Sequence, residues 1–144
     1  MAVRFFTVTE ANRLVPSLTE TMQRLRDLQT EAREKYEEMR RIRQVGYRTD
    51  GNLIMLADYQ RAKHDFDHLV AEANRRLGEV HEMGCRVTDV ELGLVDFPAR
   101  LDSHEVYLCW QLGEDQVAYY HGLREGYGGR RPLPPADAPP AVKP

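Results

Sequence analysis

Apolar residues recur in steps of three and four along much of this chain. They fall at Ala11, Leu14, Leu18, Met22, Leu25, Leu28, Ala32, Tyr36, Met39 and Ile42, then at Leu56, Tyr59, Ala62, Phe66, Leu69, Ala73, Leu77, Val80 and Met83. That spacing draws one apolar stripe along each of two helices, close to a heptad repeat. Between them VGYRTDGNL, Val45 to Leu53, carries Gly46 and Gly51 beside polar residues and reverses the chain. Two helices joined by a short turn fold back as an antiparallel hairpin. Each would run about 45–55 Å at ~1.5 Å per residue, longer than a compact domain of this size. The hairpin is therefore expected to protrude or to pair with another hairpin. A two-helix stripe buries limited apolar area, which favours dimerisation into a bundle.

The ends of the helices are written in local chemistry. TVTE, Thr7 to Glu10, spells a capping box, so a helix is expected to start at Val8. Glu20–Arg24, Glu31–Lys35 and Glu37–Arg41 are i,i+4 pairs in the favourable order. Pro16 lacks an amide donor and predicts a kink or a separate first segment. Gly84 is placed to cap the second helix in a left-handed conformation. Val3 to Phe6 reads as a short strand.

After Gly84 the period becomes two. Val106, Leu108 and Trp110 face one way, and Tyr107, Cys109 and Gln111 the other. Val117, Tyr119 and His121 share a face. Turns at Leu101–Ser103 and Gly113–Asp115 fit a meander. Pro98 predicts that the Leu94–Phe97 strand ends there or lies at an edge. Six of the eight prolines fall between Arg131 and Pro144, which predicts an extended, disordered tail. The expected architecture is α+β: a long antiparallel helical hairpin (8–84) packed on a small C-terminal antiparallel β-meander (85–122). A Gly/Arg loop (122–131) completes a single domain 1–130, and the Pro-rich tail is 131–144.

Composition narrows the function classes. Lys and Arg number 20 against 23 Asp and Glu, a net charge of −3, so coating of nucleic acid is not indicated. Cys85 and Cys109 are far apart and form no CxxC pair. No apolar run approaches the roughly 20 residues that cross a bilayer, and the N-terminus has no signal-peptide apolar region. A cytoplasmic protein with reduced thiols and no membrane contact is expected.

Candidate sites concentrate between Gly93 and Arg131. Asp96, Glu105, Cys109, Glu114 and His121 can converge there, and a carboxylate beside a histidine is the minimum for acid–base work. Carboxylate, His and Cys side chains also ligate divalent metals, although no GxSxG, HExxH or paired CxxC spelling is present. HGLREGYGGRR, His121 to Arg131, joins glycines to arginines as an anion cradle would. His64, His68 and Glu72 stand at i,i+4 spacing on the second helix, but His64 and His68 lie off the apolar stripe and are expected to face water. RRIR, Arg40 to Arg43, with Lys35 and Arg48, puts positive charge near the hairpin tip, diluted by Glu37, Glu38 and Asp50.

FTVTEANRLVPSL, GLVDFP, VYLCWQLGE and AYYHGLREGYGGRRPL, with their order and spacing, resemble a bacterial family known only as a domain of unknown function, number 2203 in its series. Members of that family commonly show Trp before the His where this chain has Tyr120. The resemblance implies no activity, cofactor or partner. It directs attention to Asp96, Trp110, Glu114, His121 and Arg130 rather than to the helix histidines.

The leading expectation is a non-enzymatic interaction module that self-associates as a dimer through the hairpin, with a protein partner as the other occupant. No cofactor and no resident metal is assigned, and nucleic acid is not expected as a partner. The alternative is a small-ligand, metal-binding or hydrolytic site at the sheet end. There His121 acts as base or ligand and Asp96 or Glu114 orients it, while Arg130, Trp110 and Arg131 hold the ligand. A third reading is a coiled-coil arm touching RNA or polymerase through the Arg40–Arg48 tip.

Overall fold

The computed structural model describes residues 4–134. Its elements in chain order are helices α1 (Val8–Val45) and α2 (Leu56–Glu82), strands β1 (Arg86–Asp89), β2 (Leu94–Leu101), β3 (His104–Gln111) and β4 (Tyr119–Gly122), a 3-10 turn (Tyr127–Gly129), and β5 (Arg131–Pro132). The protein is α+β, two helices packed on each other and a five-stranded antiparallel sheet ordered β1-β2-β3-β4-β5. Residues 135–144, most of the expected tail, lie outside the described residues, as does Val3 of the expected first strand.

The chain divides into two compact units. In the first, Met1–Gln23 with Gly78–Pro144, the start of α1 and the end of α2 share a core with one face of the sheet. Ala11, Val15, Leu18, Met22 and Val80 are buried, as are Val95, Phe97, Val106, Leu108 and Trp110. The capping box forms as its spelling requires: Glu10 N donates to Thr7 Oγ1 at 3.1 Å and Thr7 N donates to Glu10 Oε1 at 2.8 Å. Among the described residues, Arg4 to Thr7 ahead of Val8 take no strand conformation. Phe6 N instead donates to the Pro98 carbonyl at 2.7 Å, and the Phe6 ring meets Phe97 edge-on at 5.2 Å.

Two prolines sit inside elements. α1 runs unbroken through Pro16, so the separate first segment that Pro16 allowed does not form. Burial of Ala11, Val15 and Leu18 around it holds the turn that lacks one amide bond. Pro98 lies within β2, opposite Tyr107 of β3. Its carbonyl points away from β3, toward Phe6, so the missing amide also faces the side that β1 no longer covers. The strand therefore passes through a locally free edge without losing a ladder bond. At the β2–β3 reversal Asp102 and Ser103 both take positive φ, 51° and 68°, the pattern of a two-residue hairpin turn.

The second unit, Arg24–Leu77, is the paired run of both helices with its reversal. Leu25, Leu28, Met39, Ile42, Leu53 and Ala62 are buried between its parts. Arg24 grips Glu72 of the other helix at 3.0 and 3.1 Å, and Lys35 faces Asp65 at 3.6 Å. The reversal closes on a Tyr47–Leu53 bridge, with Gly46 and Gly51 at φ 115° and 90°. No described helix is long and apolar enough to cross a membrane.

Candidate functional site

Alternation decides what each face of the sheet carries. Trp110, Leu108 and Val106 turn to the core, so Cys109 and Tyr107 turn to the other face. Asp96 of β2 is the direct cross-strand partner of Cys109, and His121 of β4 is the partner of Tyr107. Three adjacent strands thus bring a carboxylate, a thiol and an imidazole together away from the apolar core. One potential ligand atom from each lies within 4.8 Å of the other two. All three are buried, at 3% exposure for Asp96, 1% for Cys109 and 2% for His121. They nonetheless line a cavity of about 320 Å³ whose walls include Arg86, Leu94, Glu125 and Tyr127.

The histidine is fixed at both nitrogens. Nδ1 lies 2.9 Å from the Gly122 carbonyl oxygen, which only accepts, so Nδ1 carries a proton and donates it. Nε2 then faces Asp96 Oδ1 at 3.1 Å. Asp96 Oδ2 faces Arg86 at 3.8 Å, and the Arg86 guanidinium lies 4.3 Å over the Tyr107 ring. Burial, and after it the neighbouring Asp96 carboxylate, push the Cys109 thiol up to about 12.

The other expected site residues fall into different surroundings. Glu114 and Arg130 form a pair of their own, with Arg130 Nη2 at 2.8 and 2.9 Å from the two carboxylate oxygens and 3.3 Å from the Cys109 carbonyl. Glu114 Oε1 also accepts the Gln111 amide at 2.7 Å, and its carbonyl accepts Trp110 Nε1 at 2.9 Å. Trp110 is fully buried on the core face. Arg131 pairs with Glu125, whose Oε1 also accepts the Gly122 amide. Glu105 is exposed near the β2–β3 turn and does not join the cluster.

Arg86 and Tyr127 enter the cavity wall without having been singled out by the sequence. Tyr127 sits in a glycine run whose path follows from the Glu125 and Arg130 anchors. On α2, His64 and His68 are exposed, as expected, and their rings lie 4.3 Å apart. Glu72 is taken by Arg24 and Arg76, which hold its carboxyl at about 2.

The family model described as "Uncharacterized conserved protein (DUF2203)" matches residues 4–133, which span both helices and the whole sheet. No curated protein and no solved structure matches the chain.

Proposed function

The chain belongs to the DUF2203 family, and from that premise we propose that it is a small-ligand-binding module whose site is the sheet-end cavity floored by Asp96, Cys109 and His121. One observation carries the reading. Two polar side chains and a thiol are buried on the sheet face that does not form the apolar core, and a cavity of about 320 Å³ opens onto all of them. Burying such groups costs free energy that packing alone does not require.

Binding is favoured over catalysis by these side chains because their reactive atoms are committed. A general base needs a free lone pair within reach of its proton. His121 has both nitrogens engaged, and Glu114 has both oxygens on Arg130. A hydrolytic role for His121, Asp96, Glu114 and Arg130 would require one of those pairs to open. A thermal-shift screen of small carboxylates, phosphates and metal salts tests the reading. It predicts a stabiliser of the wild type whose effect is lost in Asp96→Asn and His121→Gln. A screen without a stabiliser, or one whose stabilisers act equally on the variants, would sink it.

A second reading, self-association through the helical hairpin, has its own support. Leu56, Phe66, Leu69 and Leu77 of the α2 stripe remain only half-buried, and Tyr36, Val45, Tyr47 and Ile54 are at least half exposed. A second copy would cover them. Light scattering at some tens of micromolar should then give twice the chain mass, and a strict monomer would count against it. The nucleic-acid arm has less behind it, because Arg40 pairs with Glu37 and Arg48 with Asp50.

A further inference from the structure

We infer that Asp96, Cys109 and His121 together bind one divalent transition-metal ion of the zinc class. This inference rests on the cavity being the ligand site and names what occupies its floor. The donor set is one carboxylate oxygen, one sulfur and one imidazole nitrogen, brought together by three neighbouring strands whose register fixes their spacing. Zinc-type ions accept this mixture, whereas magnesium and calcium favour oxygen alone. A tetrahedral ion holds such donors about 3.3–3.6 Å apart. Asp96 Oδ1 and His121 Nε2, at 3.1 Å, are already near that separation.

A second observation points the same way. Metal-ligating histidines donate their other ring N–H to a carbonyl or carboxylate, which fixes the tautomer and aims the free nitrogen. His121 Nδ1 does this to the Gly122 carbonyl, and an ion seated between Nε2 and Asp96 Oδ1 would replace the contact those two atoms now make. Arg86 faces Asp96 Oδ2 and leaves Oδ1 for the ion. Three protein ligands at the floor of a cavity leave the fourth position open to water or a small molecule. The charges balance. Bound as carboxylate and thiolate, Asp96 and Cys109 neutralise its two charges, the thiol proton leaving to solvent. The competing cluster, His64 and His68, offers two exposed rings, with Glu72 held by arginines.

Cobalt(II) titration of the full chain, reduced and stripped of metal, tests this. The result expected is one ion per chain, with visible bands of tetrahedral cobalt and a near-ultraviolet thiolate-to-cobalt band. Both should persist in Cys85→Ser and in His64→Gln with His68→Gln. Cys109→Ser should lose the thiolate band, and Asp96→Asn should weaken binding at least about tenfold. If a ligand variant fails to fold, the wild type and the two control variants still decide, because Cys85 is the one other thiol. No cobalt binding, binding without a thiolate band, or binding abolished by the His64/His68 double variant would overturn the inference. If cobalt fails but an organic or anionic stabiliser still acts through Asp96, the metal assignment falls and the ligand-site reading stands. If neither acts, both fall.

Discussion

Arg130 closes on both carboxylate oxygens of Glu114 while its guanidinium lies 4.1 Å over the Tyr119 ring and 5.0 Å from that of Tyr127. The pair joins the β3–β4 connection to the loop that runs beside Asp96, Cys109 and His121. It is mostly shielded, with side-chain exposures of 11% and 25%, so removing one partner strands the other.

Glu114→Gln is accordingly expected to cost about 2 kcal/mol of stability by urea unfolding, since breaking a shielded pair leaves a charge uncompensated. Replacing both partners with apolar residues, Glu114→Leu with Arg130→Met, should cost less than Glu114→Gln alone. Equal or greater loss in the double variant would mean that the two groups serve separate partners rather than each other.

Two glycines of α2 and its end should respond with opposite signs. Gly84 has φ 98°, and a β-carbon there would come within 3.1 Å of the Arg4 side chain and 3.3 Å of the Phe6 ring. Gly84→Ala is expected to lose about 1–2 kcal/mol, the penalty of a left-handed residue with a side chain. Gly78 lies within α2 and faces open space. Gly78→Ala should gain about 0.5–1 kcal/mol. Denaturation midpoints of the two variants moving in the same direction would contradict this account of how the helix ends.

Cys85 supplies an alkaline signature away from the site. Burial pushes its thiol from 9.0 up to about 11. Its contribution to stability is fully present below pH 9 and is lost as pH rises toward 11, because the unfolded thiol ionises first. The stability difference between wild type and Cys85→Ala should therefore shrink across that interval, as read by urea midpoints at successive pH values. A difference independent of pH would show that the thiol does not stay protonated in the folded chain.

The helices were legible because periodicity and capping are local. Thr7 and Glu10 close their box as spelled, and Gly84 takes the left-handed conformation that its place after α2 requires. The prolines were harder, since Pro16 and Pro98 are tolerated for tertiary reasons: burial on both sides of one and a free edge beside the other. The alternation around Trp110 already put Cys109 on the opposite face. What it left open was strand register, which makes Asp96 the partner of Cys109 and sets His121 diagonally across. Glu114 and Arg130 read as site groups because charge near a histidine suggests chemistry. Their mutual pairing depends on a loop path that composition does not encode. β1 and β5 are short, and each owes its place to a longer neighbour, so their own residues carry little signal.

Native mass spectrometry of the full chain, purified under reducing conditions and then offered the metal and small-molecule panel, bears most directly on the sheet-end cavity. A ligand-holding cavity gives a mass excess over the bare chain in the wild type that is absent from Asp96→Asn. The bare mass in both proteins, or the same excess in both, would contradict it.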